Sequence, residues 1–185
     1  MDYHEYLKKV LEEHQAVLPV VSEHEVEALV ESLIAARRVF AVGVGRVQLS
    51  LLAFVKRLNH LGITATYVGA IDEPAITKDD LLLVGSGSGE TAVPAAIAGI
   101  AKKHGAKIAH VGSNTRSTIS KLADVIVRIP CRTKLALEDE IDSIQPMSSL
   151  FEQSLLIFLD VIALMLVERK NIDIKALWHT HANLE

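Results

Sequence analysis

The chain has 185 residues, half of them hydrophobic and 4% aromatic, with one cysteine and a formal net charge of −4. This length and hydrophobic content are typical of a folded domain and exclude a disordered chain. The acidic balance argues against sequence-independent nucleic-acid binding, which needs a basic face to neutralise phosphates. Cys131 cannot form an internal disulfide, and the first residues lack the basic and apolar segments of a secretory leader. We therefore expect one cytoplasmic domain spanning residues 1–185.

Two helices are predicted before the first strand. Residues 2–38 contain no glycine and a single proline, and their apolar residues recur at helical spacing. Pro19 interrupts this stretch. Ser22, with Glu25 three residues later, has the S-x-x-E pattern of a capping box, which predicts the start of the second helix.

Strands, glycine or serine turns and helices then alternate along the chain. Three apolar strands each lead into such a turn: Val39–Val42, Leu81–Val84 and Lys107–Val111. Shorter strands are predicted at 63–68 and 125–129. Strands without polar alternation, separated by helices, are typical of a parallel sheet covered on both faces. We predict a three-layer α/β/α fold with a doubly wound, five-stranded parallel sheet, whose ligand site lies at the carboxyl ends of the strands.

The most apolar stretch, Leu150–Val167, approaches the length of a membrane span, which needs about 20 residues. Glu152 and Asp160 argue against a span, because a carboxylate is costly to place in a bilayer. We expect instead a long apolar C-terminal helix, buried in the core or against another subunit. Segment 131–145 before it is predicted to be a long connecting loop, and loops of this length are often functional.

The segment Gly85–Thr91, which reads GSGSGET, carries the clearest chemical signal. Glycines let backbone N–H groups face an anion, hydroxyls add donors, and the next helix adds its positive N-terminal end, so we predict a phosphate site. The segment lacks the lysine of a nucleotide-binding P-loop and the spacing of a dinucleotide fingerprint, which favours a sugar phosphate. The same composition is also that of an ordinary tight turn. Pro94 supports a helix starting just after it.

Other candidate side chains have two interpretations each. Arg46 follows the first glycine turn, where it either binds a phosphate or hydroxyl or is simply solvated. His60 ends the next helix, where a helix-terminal cation is favoured over an acid or base. Glu152 opens the apolar helix, either as a proton-transfer group in apolar surroundings or as compensation for the helix dipole. His179 and His181 lack the accompanying ligands of a metal site, and we predict no metal there.

Seven motifs follow one another along the chain: VGVGR, NHLG, SGSGET, GSN, KLADVIVRIP, QPMSSLFEQS and HANLE. In this order they closely resemble the 6-phospho-3-hexuloisomerase family of SIS (sugar isomerase) domains, over nearly the whole chain. SGSGET alone marks the wider superfamily, whereas its combination with LFEQS and a terminal HANLE is much more specific. The resemblance implies a cytoplasmic homotetramer that interconverts 3-hexulose 6-phosphate and fructose 6-phosphate without a metal or cofactor.

The resemblance also implies roles for individual residues. Gly45 and Arg46 would help to place the sugar, and Glu152 would be the base that moves a proton between C2 and C3 through a cis-enediol. His60 would assist at a substrate oxygen, and His181 would reach the site of a neighbouring subunit. The residues expected to hold the phosphate are Ser86, Gly87, Ser88, Gly89 and Thr91.

Two departures from the family pattern concern the substrate. Where the family usually reads GRSG, this chain has Val47 and Gln48 in place of the serine and glycine, and Ser148 stands where glycine is common. Losing a hydroxyl donor removes about 0.5–1.5 kcal/mol of binding. Three alternatives therefore stay open: an isomerase of a related ketose phosphate, a sugar-phosphate-binding domain that senses its ligand without turnover, and a scaffolding oligomer whose glycine turns are only turns.

Overall fold

The computed structural model describes residues 1–180, in which a parallel five-stranded sheet is surrounded by helices. The strands are β1 (Val39–Val42), β2 (Ala65–Tyr67), β3 (Leu81–Gly85), β4 (Lys107–Gly112) and β5 (Val125–Arg128). The α helices are α1 (Tyr3–Val17), α2 (Glu23–Ala35), α3 (Arg46–His60), α4 (Ala92–Lys103), α5 (Thr118–Leu122) and α6 (Ser149–Arg169). Short 3₁₀ helices occupy Leu18–Val20 and Ile174–Thr180.

The strand order is β2-β1-β3-β4-β5, with every neighbouring pair parallel. The chain builds outward from β1 to one edge and then crosses back to build the other half, which is a doubly wound sheet. β1 and β3 are adjacent, with Val42 paired to Val84, so their carboxyl ends lie side by side. At this point the direction of winding reverses and a crevice opens, where such sheets bind ligands. The predicted fold class is confirmed.

The strands are apolar throughout because each of their faces has its own core. Leu81 and Leu83 of β3 pack in a cluster with α2, α3 and α6, whereas Leu82 and Val84 pack in a second cluster with α4 and α5. Successive side chains of a strand point to opposite faces, so both sets of positions must be hydrophobic. This three-layer packing explains the absence of polar alternation in the sequence.

Helix α6 is long and apolar enough to cross a membrane by length and composition alone, but half of its most apolar window is buried inside the fold. Phe151, Leu155, Leu159 and Ile162 are among the residues it contributes to the core. Because these residues pack against the rest of the domain, α6 is a core helix. The opposite face of α6 carries apolar residues that remain exposed in the single chain.

The predicted capping box at Ser22 is wrong, although α2 does begin at the next residue. The Ser22 side chain makes no capping hydrogen bond, and the Glu25 carboxylate instead accepts the N–H of Arg128 at 2.8 Å. A complete capping box lies at the start of α1, where Asp2 and Glu5 each accept the other's N–H. The Glu25 carboxylate is thus used to tie α2 to the end of β5.

Candidate active site

A cavity of about 630 Å³ opens at the carboxyl ends of β1 and β3. Its walls come from the turns after these two strands, from the β5–α6 loop (residues 129–148) and from the first turn of α6. The lining residues are Val44, Val47, Gly85, Ser86, Gly87, Ser88, Thr91, Thr133, Lys134, Met147, Ser148, Phe151 and Glu152. The structure therefore brings the GSGSGET segment and Glu152 to one cavity at the predicted edge of the sheet.

The hydroxyl groups of the GSGSGET loop line this cavity together. Ser86 and Ser88 are buried residues, and the Ser86 Oγ lies 3.1 Å from the Oγ1 of Thr91. The N–H of Gly89 donates to the Ser86 Oγ at 3.1 Å, which closes the loop on itself. Three hydroxyls are thus presented by one compact turn at the start of α4.

The backbone of the loop is oriented by bonds to its carbonyl groups. The Gly87 carbonyl accepts from the N–H of Ser113 at 2.9 Å and of Asn114 at 3.1 Å. In a trans peptide the N–H points opposite to the carbonyl, so the N–H of Ser88 faces away from Ser113. Within residues 1–180 the N–H groups of Gly87 and Ser88 donate to no other residue, and both residues line the cavity. These two amides are suited to bind an anion.

Sequence analysis missed His110, a buried residue of β4 that lies beneath the loop. Its Nε2 lies 3.0 Å from the Ser86 carbonyl oxygen, and its Nδ1 lies 2.9 Å from the Ser120 Oγ. Burial lowers the pKa of His110, because the charged imidazolium is poorly solvated there. The neutral ring donates its Nε2–H to the carbonyl and so directs the next N–H, that of Gly87, away from β4. The signal in the sequence was a histidine between the apolar residues Ala109 and Val111 of this strand.

Glycine is required at Gly89 by both conformation and space. Its φ is +62°, and a Cβ at this position would lie 2.0 Å from the Oγ of Ser117. Residues with a Cβ rarely adopt this left-handed conformation. The close approach of α5 to the loop therefore depends on this glycine.

Glu152 lies in the first turn of α6, where its side chain is 14% exposed and ion-paired with Arg46. The Arg46 Nε donates to the Glu152 Oε2, and the Ser50 Oγ donates to the Glu152 carbonyl oxygen at 2.9 Å. These bonds fix the start of α6 against α3 and hold the carboxylate at the cavity. The Arg46 side chain is largely exposed and lies in a groove between α3 and α6 that Glu152 also borders. Neither of the two interpretations of Glu152 from the sequence included a cationic partner.

Not every predicted site residue reaches this cavity. His60 ends α3, the helix that Arg46 begins, so about 20 Å of helix separates the two residues. Gly45 precedes α3 with a φ of +59° and adjoins Val44 of the lining. His181 lies outside the described residues, so its role and the prediction that it binds no metal with His179 stay predictions.

The two departures from the family pattern occupy defined places. Val47 lines the cavity. A Cβ on Gly85 would lie 2.9 Å from the Val47 Cγ1, so the methyl groups of Val47 cover the end of β3. The Gln48 Oε1 accepts the N–H of Gly43 at 2.6 Å and so occupies an amide of the first turn. Ser148 is the N-cap of α6 with φ −105°, a conformation that does not require glycine.

Several cavity residues, among them Thr133, Lys134 and Phe151, were not predicted individually. Thr133 and Lys134 come from the β5–α6 loop, which sequence analysis marked as functional only as a whole, and Phe151 lies beside Glu152. The Thr133 methyl packs over the GSGSGET loop, where a Cβ on Gly87 would lie 3.2 Å from its Cγ2. The β5–α6 loop and the GSGSGET loop are therefore in direct contact.

A doubly wound sheet with hydroxyls, free amides and a carboxylate at its switch point defines an α/β domain suited to a phosphorylated ligand. The family model described as "SIS domain" matches residues 32–158. A 3-hexulose-6-phosphate isomerase of Bacillus subtilis is 38% identical over 98% of both chains, and one of Mycobacterium gastri is 39% identical over 89% of this chain and 82% of its own length. The chain therefore belongs to the SIS domain family, together with these relatives.

A solved structure supports the same relationship. The crystal structure of a hypothetical protein from Methanococcus jannaschii, whose authors inferred a 3-hexulose-6-phosphate isomerase function, has a TM-score of 0.84 and is 28% identical. It is matched over 98% of this chain and 99% of its own. The similarity thus includes the N-terminal helices and α6, which extend beyond the matched family model.

Proposed function

We propose that the protein interconverts 3-hexulose 6-phosphate and fructose 6-phosphate. One observation carries this proposal: an anion-binding loop and a positioned carboxylate line the same cavity. The relatives named for this activity support it, since they match the chain over most of its length. The hydroxyls of Ser86, Ser88 and Thr91, with the amides of Gly87 and Ser88, hold the phosphate in this proposal, and Gly89 shapes the loop because its own N–H is bonded to Ser86.

Glu152 is the proposed base. It takes the proton from C2 of the 3-ketose, the C2–H electron pair forms the enediolate, and O3 is protonated to give the cis-enediol. Loss of the proton from O2 then re-forms a carbonyl at C2, and Glu152 returns its proton to C3. A base positioned beside a carbon acid contributes about 10²- to 10⁴-fold to the rate. Arg46 orients the carboxylate, and its other N–H groups, which bond to no residue from 1 to 180, are available to stabilise an enediolate oxygen.

The proposal includes one domain over residues 1–185, a cytoplasmic location and a homotetramer. The exposed outer face of α6 supports an oligomer, since apolar surface of this kind is usually covered by a partner. Its exposed apolar residues are Leu156, Ile157, Val161 and Leu164. His181 belongs to the proposal as a residue supplied to the site of another copy. His60 stays in the proposal as a residue that assists at a substrate oxygen, although it lies at the far end of α3 from Arg46.

The deciding experiment compares the purified protein with its Glu152→Gln variant. The proteins are mixed with 3-hexulose 6-phosphate, and fructose 6-phosphate is followed in a coupled assay. We expect turnover that falls at least 100-fold in the variant, while Asp160→Asn, an exposed carboxylate on the same helix, keeps the wild-type rate. Unchanged turnover in Glu152→Gln would remove this residue from the mechanism. The proposed mechanism uses protein groups alone, and we expect EDTA to leave the rate unchanged.

A related ketose phosphate is the second candidate substrate, and Val47 is the observation that favours it. This residue places methyl groups in the cavity where the family pattern has a hydroxyl. If 3-hexulose 6-phosphate is a poor substrate, Val47→Ser should raise its kcat/KM. If no ketose phosphate is turned over but a hexose phosphate raises the melting temperature, the protein is a sensor of its ligand.

A further inference from the structure

The charge of a sugar phosphate is only partly matched by the GSGSGET loop. A phosphate monoester carries a charge of about −1.5 to −2 near neutral pH, whereas hydroxyls and amides are neutral donors. Lys134 is the one cationic side chain among the described residues that line the cavity. Arg46 lies in the neighbouring groove and is already paired with Glu152.

Lys134 lies on the phosphate side of the cavity. Its neighbour Thr133 packs over Gly87 of the GSGSGET loop. Glu90, which ends this loop with Thr91, has its pKa lowered mainly by hydrogen bonds from Thr118, with a further contribution from the positive charges of Lys121 and Lys134. The ammonium group of Lys134 is therefore within electrostatic range of the loop that binds the anion.

The backbone that carries Lys134 is fixed by a buried carboxylate. Glu140 accepts the N–H of Thr133 at 3.0 Å, the Oγ1–H of Thr133 at 2.8 Å and the N–H of Leu137 at 3.0 Å. These three bonds close the turn between residues 133 and 140. Lys134 itself is exposed and forms no ion pair with any residue from 1 to 180. Its side chain is thus available to a ligand while its main chain is held.

We propose that Lys134 binds the phosphate group of the substrate and supplies the positive charge that the GSGSGET loop lacks. The loop contributes directional neutral donors, and Lys134 contributes a charge-assisted hydrogen bond from the β5–α6 loop. This assignment rests on the proposed function for the identity of the ligand, but the binding of a phosphate dianion can be tested without turnover. It makes Lys134 a binding residue whose loss weakens the ground state and transition state equally.

The test uses three variants of the full-length protein: Lys134→Met, Lys134→Arg and Lys121→Met. Lys121 is the matched control, because it is an exposed lysine that also acts on Glu90 but does not line the cavity. Binding of inorganic phosphate and of fructose 6-phosphate is measured by calorimetry at two salt concentrations, and kcat and KM are measured with 3-hexulose 6-phosphate. Thermal unfolding confirms that each variant is folded.

We expect Lys134→Met to raise the Kd for phosphate and the KM about 10- to 100-fold, with kcat within a factor of three. Lys134→Arg should recover most of the affinity, and Lys121→Met should bind as the wild type does. Equal losses in Lys134→Met and Lys121→Met, an unchanged Kd in Lys134→Met, or a wild type that does not bind phosphate would each overturn the inference. A wild type without turnover whose phosphate binding still depends on Lys134 would overturn the proposed function alone.

Discussion

Of the loops that border the cavity, the GSGSGET loop and the β5–α6 loop are held in place by different chemical groups. The GSGSGET loop is fixed by its own backbone, by the left-handed conformation of Gly89 and by a neutral histidine beneath it. The β5–α6 loop is fixed by carboxylates: Glu140 closes its first half, and Glu13 of α1 holds its second half. The Glu13 carboxylate accepts from the Ser143 Oγ at 2.7 Å, the Ile144 N–H at 2.6 Å and the Gln145 Nε2 at 2.9 Å.

This difference determines what each loop is sensitive to. A loop fixed by backbone geometry is disturbed by added atoms, whereas a loop fixed by carboxylates is disturbed by losing an acceptor or its charge. Burial of Glu13 opposes its ionisation, but the hydrogen bonds from Gln145, Ile144 and Ser143 prevail and lower its pKa. Substitutions that add a side chain to one loop or remove an acceptor from the other therefore test the comparison directly.

The largest effect is expected from Gly89→Ala. The new Cβ would meet the Ser117 Oγ at 2.0 Å, in a backbone conformation with φ +62° that alanine rarely adopts. We expect a loss of at least about 2 kcal/mol in the free energy of unfolding, measured by chemical denaturation, together with loss of phosphate binding.

Gly99→Ala is the matched control for this glycine. Gly99 lies within α4, and apart from its chain neighbours and the backbone of its own helix no atom of residues 1–180 lies within 4 Å of a Cβ built there. Alanine favours a helix interior over glycine, so this variant should gain about 0.5–1 kcal/mol. Similar changes in the free energy of unfolding at both positions would mean that the shape of the GSGSGET loop does not determine the effect of Gly89→Ala.

Glu140→Ala should weaken the β5–α6 loop and leave the GSGSGET loop intact. The variant leaves the N–H groups of Thr133 and Leu137 without their acceptor, at a cost of about 1–3 kcal/mol each when such groups stay buried. We expect lower stability and a raised KM, since Lys134 is carried by this turn.

Two other variants test whether the effect of Glu140→Ala comes from its hydrogen bonds. Glu140→Gln keeps one oxygen that can accept both N–H groups and should recover most of the stability. Glu138→Ala removes an exposed carboxylate from the same loop and should change little. An effect of Glu138→Ala equal to that of Glu140→Ala would point to the net charge of the loop instead of its hydrogen bonds.

The strands and the GSGSGET loop, which depend on residues close together along the chain, were predicted from the sequence better than the β5–α6 loop, which is held by residues far away along the chain. The strands were readable from apolar runs, although β2 is shorter than the predicted 63–68, and the GSGSGET turn contains its own glycines and hydroxyls. The β5–α6 loop depends on Glu13, which is 130 residues from Ser143 along the chain. Glu152 depends on Arg46, which is 106 residues away. Pairings of this kind have no local signature. The wrong capping box at Ser22 has the same origin, because Glu25 is taken by Arg128, 103 residues away.

His110 makes the stability of the GSGSGET loop depend on pH. The pKa of His110 is lowered from its ordinary value of 6.5 in the folded protein. Below pH 6.5 the unfolded chain therefore binds a proton at this residue more readily than the folded protein does. The stability contributed by the neutral ring is present above this pH and is lost as the pH falls through the lower, folded-state pKa. We expect the melting temperature to fall below about pH 6.5.

The His110→Gln variant separates this contribution from the other acid-sensitive groups. Glutamine can still donate to the Ser86 carbonyl but does not titrate, so the fall in melting temperature below pH 6.5 should be smaller than in the wild type. His24→Gln, at an exposed histidine of α2, should keep the wild-type profile. An unaltered profile in His110→Gln would assign the acid sensitivity to carboxyl groups whose pKa is lowered in the folded protein, namely Glu13, Asp80 and Glu90.

The smallest effect is expected for the reactivity of the Cys131 thiol, which reports on the β5–α6 loop alone. This thiol is buried near the start of the β5–α6 loop, and burial raises its pKa to about 12. Because the thiolate is the reactive form, a thiol reagent such as Ellman's reagent should label the native protein far more slowly than the unfolded chain. Glu140→Ala should speed the labelling, since it loosens the turn beside Cys131, whereas Gly89→Ala should affect it only through global unfolding. Equal acceleration in both variants, measured under conditions where each remains folded, would show that the two loops open together.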